Sequence, residues 1–194
     1  MKIKIGVMGS ASGPTSESQK NIKKAIELGH YIAGAGCILV NGACPGLPDQ
    51  AAFGAHQAGG FVMGVSPAFS EKEHSEHYKS PREYYDVLLY TGMGLMERDI
   101  LNIRSSDAII IVGGGIGSLN EFTVAYDEGK VIGILTESGG LSNHIPEILR
   151  MCDRALNEKI LFDSDPQTLV KKVLEAIKNI PQPVLEDERI VGIT

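Results

Sequence analysis

The chain has 194 residues, a formal net charge of −6, and 43% apolar against 22% charged residues, the size and balance of one globular domain with a substantial core. Lys and Arg gather in no block, so the basic face that wraps a nucleic-acid backbone is missing and a nucleic-acid partner is not expected. No apolar run nears the ~20 residues that cross a bilayer, and Cys37, Cys44 and Cys152 lack metal-ligand spacing, which fits a cytoplasmic protein with no membrane and no metal.

Residues 2–8, alternating and then apolar, read as a strand too short for the core of a signal peptide. Gly9, Ser10 and Ala11 open a small-residue loop, and Ser16 precedes Gln19 by three, a capping-box spacing that opens a helix to about residue 35. Residues 37–40 form a strand ending at Asn41 and Gly42. After Ala43 and Cys44, Gly46-Leu47-Pro48-Asp49 leads into an Ala-rich helix to about 58, and 61–65 is the next strand. Residues 66–85 are polar and rich in His, Glu and Tyr, and read as a surface loop or lid. There His74 and His77, beside Glu73 and Glu76, find no third ligand at metal spacing. A strand over 87–90 runs into Thr91, and a helix covers 94–104.

Asp107 opens a strand whose last four residues, Ile109-Ile110-Ile111-Val112, are all β-branched, the mark of a strand covered on both faces. Gly113-Gly114-Gly115-Ile116-Gly117 then turns into a helix over 118–128. A strand at 131–135, a helix near 145–152, a short strand at 160–162 and a last helix follow. Asp165 before Pro166 makes an N-cap and first-turn pair for that helix. Pro181 and Pro183 break the pattern, so 1–180 reads as one nucleotide-binding domain and 181–194 as a tail.

Seven strands alternating with helices imply an α/β fold: a doubly wound, mostly parallel sheet in a Rossmann-like three-layer α/β/α arrangement. Right-handed crossovers gather the strand C-terminal loops on one edge, where such folds bind ligands. Four small-residue loops end there by topology: 9–13, 42–46, 91–94 and 113–117. In the last, glycines let the backbone lie close to a ligand while a helix start supplies unpaired amides, a physical recipe for holding phosphate. Ser118 and Glu121 admit two readings: a capping box, or a hydroxyl on phosphate with a carboxyl facing the ligand. The dinucleotide fingerprint G-x-G-x-x-G is not matched, which disfavours NAD. Arg98 is either an exposed salt-bridge residue beside Glu97 and Asp99 or a ligand contact. Asp49 is a helix-dipole partner or a ribose or base contact. Cys44 has no paired base and reads as a small loop residue.

The combined motifs resemble the Lonely Guy (LOG), or "lysine decarboxylase-like", family over roughly residues 3–136. Gly114-Gly115-Ile116-Gly117-Ser118-Leu119-Asn120-Glu121 is similar to that family's Pro-Gly-Gly-x-Gly-Thr-x-x-Glu signature, and Met96-Glu97-Arg98 to its Met-x-x-Arg-Lys stretch. Val7 to Ala11, Asn41 to Leu47 and Gly60 to Pro67 resemble its first loop, second loop and third strand. The family's proline is Gly113 here, its threonine Ser118, its lysine Asp99 and a common glutamate Asn120. These departures resemble a less characterised branch, similar also to molybdenum-cofactor carrier proteins and the core of DNA-processing proteins.

What the resemblance implies is a homodimer or higher homo-oligomer that binds a nucleoside monophosphate or similar phosphorylated ligand and requires no cofactor. Gly114, Gly115, Ile116, Gly117 and Ser118 would hold phosphate, with Gly9, Ser10, Ala11, Gly42, Ala43, Gly46, Asp49 and Thr91 around the rest of the ligand. Arg98 and Glu121 would act catalytically if the chain, like LOG phosphoribohydrolases, cuts the N-glycosidic bond of a nucleoside 5′-monophosphate. A carrier or sensor without turnover, for molybdenum cofactor for example, is the alternative. Nothing marks a pyridoxal-binding lysine, so lysine decarboxylation is not expected.

Overall fold

The computed structural model describes residues 1–179, so the tail expected over 181–194 lies outside the described residues. Seven strands, β1 (Lys4–Gly9), β2 (Ile38–Asn41), β3 (Phe61–Ser66), β4 (Val87–Tyr90), β5 (Ala108–Val112), β6 (Val131–Leu135) and β7 (Ile160–Asp163), alternate with helices. The helices are α1 (Pro14–Glu17), α2 (Gln19–Gly34), α3 (Leu47–Gln57), α4 (Gly94–Arg104), α5 (Ile116–Asp127), α6 (Ile145–Met151) and α7 (Pro166–Asn179). All strand pairs are parallel in the order β4-β3-β2-β1-β5-β6-β7. This is the doubly wound, three-layer sheet that the alternation predicts. No helix among the described residues is long and apolar enough to cross a membrane.

Strand alternation divides the core between the two sheet faces. On one face Ile5, Val7, Ile110 and Val112 pack under α2, α3 and α7 through Leu28, Ala51 and Leu169. On the other, Met8, Ile109 and Ile111 pack under α4, α5 and α6 through Ile103, Phe122 and Ile145. The β-branched run 109–112 thus feeds both cores, which is why all of β5 is buried.

The capping box at Ser16 does not form. Ser16 lies within α1, where its Oγ donates to Gly13 O at 2.8 Å, and the chain breaks at Ser18 (ψ 119°) before α2. Asp165 does cap α7, its Oδ2 accepting from Thr168 N at 2.8 Å. Residues 66–85 are more ordered than a solvated lid: Glu73–His77 makes one π-helical turn, and His74 is fully buried. His74 Nε2 lies 2.9 Å from Pro81 O, which can only accept, so Nε2 carries the proton and Nδ1 accepts from Ser66 Oγ at 2.8 Å. His77 stays exposed.

Candidate functional site

The chain leaves β1 toward β2 on one side, and after β4 crosses to β5 on the other. Adjacent strands whose successors diverge open a crevice at their C-terminal ends. A cavity of about 260 Å³ lies there, lined by Met8, Gly9, Ala11, Gly42, Cys44, Pro48, Leu95, Met96, Arg98, Asp99, Ile116 to Ser118 and Glu121 among others.

The glycine loop after β5 is held from beneath. Gly113 (φ 64°) and Gly114 (φ 101°) take a conformation that side chains resist. Gly113 N donates to Ser138 Oγ and Gly114 N to Ser10 Oγ, both at 2.8 Å. Their carbonyls accept from Ser142 N and Leu141 N at 2.9 Å. These two residues therefore have their polar groups occupied by the protein itself. The helix begins two residues earlier than its sequence suggests, at Ile116 with Gly115 as N-cap, and no side chain caps it. Ser118 is thus within the first turn, and the capping-box reading of Ser118 and Glu121 fails. The amides that α5 leaves without intrahelical partners start its first turn, at the rim of the cavity, where an added Cβ at Gly115 or Gly117 would meet nothing within 4 Å.

At the floor, α4 turns Arg98, Asp99 and Asn102 inward, positions i, i+1 and i+4 that share a helix face. The Arg98 guanidinium lies flat on the second loop: a Cβ at Gly42 would stand 2.3 Å from Nη1, so only glycine leaves it room. Nη2 donates to Cys44 Sγ at 3.3 Å. Nη1 lies 3.0 Å from Asp99 Oδ1 and 3.6 Å from Glu121 Oε1. These are charge contacts without hydrogen-bond alignment, for Nη1 and Nε both lack a hydrogen-bond partner although the residue is only 6% exposed. Asn120 Nδ2 donates to Asp99 Oδ2 at 2.9 Å, and Asn102 Nδ2 reaches Glu121 Oε1 at 3.4 Å. Two of the four family departures, Asp99 and Asn120, are hydrogen-bonded to each other.

One cation faces two buried carboxyls here. Burial first, and Asp99 second, push the Glu121 carboxyl up to about 8, against the pull of Arg98 and Asn102. Burial also raises Asp99, offset by Asn120 and Arg98. Near neutral pH Glu121 therefore carries a proton and can donate a hydrogen bond. Burial raises the Cys44 thiol too, despite Arg98, which keeps it protonated and a poor nucleophile.

Of the residues singled out from sequence, Gly9, Ala11, Gly42, Ile116, Gly117, Ser118, Arg98 and Glu121 meet at this cavity. Others shape its loops instead. Ser10 ties three of them together, its Oγ accepting from Gly114 N and its carbonyl from Leu47 N at 2.9 Å. Gly46 (φ 86°) passes so close to Ser10 that a Cβ would be 2.3 Å from the Ser10 carbonyl oxygen. Ala43 (φ 48°) is fully buried and bonded to Asn41 Oδ1. Thr91 donates to Ser66 O at 2.7 Å, away from the cavity. Asp49 lies outside the lining, its Oδ1 buried without a partner and its carboxyl pushed up to about 6 by burial and by Glu83. Asp99, Asn102 and Ser138 were not singled out. The signal for the first two is their shared helix face with Arg98; nothing local announces Ser138.

The model of the SLOG cluster4 family matches residues 2–170. An uncharacterized protein of Archaeoglobus fulgidus is 33% identical over 133 residues, 69% of this chain and 80% of that one. Among solved structures, the molybdenum cofactor binding protein from Rippkaea orientalis is 26% identical with a TM-score of 0.72, over 91% of this chain and 98% of that one. The molybdenum cofactor carrier protein from Chlamydomonas reinhardtii is 28% identical with a TM-score of 0.70, over 90% and 99%. DNA processing protein A from Helicobacter pylori, at 16% identity and a TM-score of 0.62, shares the fold alone.

Proposed function

The chain belongs to the SLOG cluster4 family, and on that premise we propose that its cavity binds a phosphorylated, nucleotide-like small molecule carrying a purine- or pterin-type ring. The observation that carries this reading is Arg98. A guanidinium buried with Nε and Nη1 unpartnered is costly, and it lines a cavity that also presents the apolar side chains of Met8, Leu95, Met96 and Ile116. The ring would lie against Met8, Leu95, Met96 and Ile116, and its oxygens would reach Arg98. Phosphate would sit at the uncapped start of α5, where the first-turn amides and the helix dipole favour an anion. Likeness to molybdenum-cofactor carriers over nine-tenths of the chain supports carriage without turnover. Self-association into a homodimer or larger assembly belongs to the same reading.

Hydrolysis of an N-glycosidic bond is the second reading, favoured by the placement of Arg98 and Glu121 in one cavity. Protonated Glu121 would pass its proton to the departing ring nitrogen as the C1′–N bond breaks. The carboxylate left behind would face the oxocarbenium-like carbon. Water would then add to C1′ and return its proton to Glu121.

The test is thermal stabilisation by AMP, N6-substituted AMP and a pterin monophosphate, with free base scored by chromatography. Ligand should stabilise the wild type, and Arg98→Met should weaken binding by about 10- to 100-fold. Base release lost in Glu121→Gln would establish the hydrolase, and binding with no release in either protein the carrier. Stabilisation by none of the three ligands would overturn the proposal.

A further inference from the structure

The C-terminal half of α5 and the helix α6 do not close on each other. Between them runs a groove of about 440 Å³, larger than the ligand cavity, walled by Phe122, Val124, Ile148 and Leu149. Tyr126 Oη donates to Ala155 O at 2.9 Å, which ties the chain after α6 back to α5 and fixes the end of the groove. Met151 and Leu156 in the same region are 75% and 54% exposed. An apolar surface of this kind that no described residue covers marks an interaction site.

Topology says which segment reaches it. Crossover helices run against the strands of a parallel sheet, so α5, α6 and α7 all end at the edge where the strands begin. α7 ends there at Asn179, on the opposite face of β6 and β7. Residues 180–194 follow it. Fully extended they span about 50 Å, against about 20 Å from one helix layer across the sheet to the other.

The order of residues in that segment matches the order of the groove. Inward from the strand-start edge, the groove presents Arg154 and Asp127, then Tyr126, then Ile148, Phe122 and Val124. The segment presents Glu186, Asp187 and Glu188, then Arg189, then Ile190, Val191 and Ile193. Arg150 and Arg154 form no ion pair with a described residue, so the α6 side offers cations to the acidic run. Asp127, on the α5 side, offers a carboxylate to Arg189. From this we infer that residues 186–193 dock in the α5–α6 groove of their own chain, with the acidic run on Arg154 and the last apolar residues against the inner wall. Glu121 lines the ligand cavity and Phe122, the next residue, lines the groove, so the docked segment backs the helix that carries the site.

Cys152 reports on the groove, since it lines it and no described residue buries it. Alkylation of the full chain with iodoacetamide at low micromolar concentration, read by mass spectrometry of each cysteine peptide, tests the inference. Cys152 should react slowly in the wild type. The paired change Ile190→Asp and Val191→Asp, and separately Arg154→Glu, should speed its alkylation by about 10-fold or more, while buried Cys37 keeps its rate. A new carboxylate beside the thiol would by itself slow the reaction, so acceleration in Arg154→Glu reports loss of the docked segment. Adding Glu188→Arg to Arg154→Glu should restore the slow rate. Equal Cys152 rates in the wild type and the Ile190→Asp, Val191→Asp variant would overturn the inference. Protection that fades on dilution would place a second copy's segment in the groove and overturn docking within one chain.

Discussion

Two helix pairs flank the sheet, α2 with α3 on one face and α4 with α5 on the other, and they meet in contrasting ways. Between α2 and α3 backbone touches backbone. A Cβ at Gly29 would stand 1.9 Å from Ala51 O, and one at Gly54 2.0 Å from Ile26 O, with Ala25, Ala51 and Ala55 fully buried around them. Between α4 and α5 stand Arg98, Asp99, Asn102 and Glu121, long polar side chains that hold the helices apart and leave a cavity against the sheet edge. Close packing of small residues maximises dispersion contacts without placing charge between the helices. The polar pair desolvates charge and keeps part of it unmatched, a cost that a ligand can relieve. One layer of the fold carries stability and the other carries the site.

The largest effect that would break this contrast is expected at Gly54. Gly54→Val must push α2 and α3 apart, and should cost about 3 kcal/mol or more in urea unfolding. A loss below ~1 kcal/mol would mean the helices are not in backbone contact. The opposite sign is expected across the sheet. Glu121 keeps its proton to about pH 8 when folded and ionises near pH 4.5 when unfolded, so the unfolded state binds fewer protons between those values. Stability therefore falls as pH rises through that window. Glu121→Gln, which mimics the protonated form, should stabilise the protein by about 1–3 kcal/mol at pH 8 and by nearly nothing at pH 4. Destabilisation at pH 8 would show that the carboxylate is well solvated or well paired. If the site hydrolyses its ligand with Glu121 as acid, turnover should fall above about pH 8; a rise there would assign it as a base.

Smaller effects sharpen the glycine loop at the edge of the same site. Gly114→Ala forces a side chain into φ 101° and to 2.9 Å from Ser118 Cβ, and should cost about 1–3 kcal/mol. Gly115→Ala meets open space and should shift stability by about 0.5 kcal/mol or less. Equal losses at both positions would mean that the loop is not pinned through Ser10 and Ser138.

How legible each part was follows from how far its partners lie along the chain. The β-branched run 109–112 specifies a doubly covered strand by itself, and Asp165 caps α7 because its amide partner, Thr168, is three residues away. The same local rule misleads at Ser16 and at Ser118 with Glu121. Ser16 is drawn to Gly13 O within its own short turn, and Glu121 is drawn to Arg98 and Asn102 on another helix. Arg98 and Glu121 were legible through family resemblance, since nothing in their 23-residue separation shows that Arg98 Nη1 comes within 3.6 Å of Glu121 Oε1. Ser138 was not legible at all: its contact with Gly113 spans 25 residues and has no motif.

By itself, then, the sequence determined the alternation of strand and helix, the parallel three-layer fold and the small-residue loops at the strand ends. Periodicity and turn chemistry act within a few residues and do not need the rest of the chain. Only the tertiary structure decided that Gly113 and Gly114 spend their amides on Ser138 and Ser10 respectively, and that α4 turns Arg98, Asp99 and Asn102 inward. It alone decided that Glu121 holds a proton, because desolvation and the balance of one guanidinium against two carboxyls exist only once distant elements close around the same small volume.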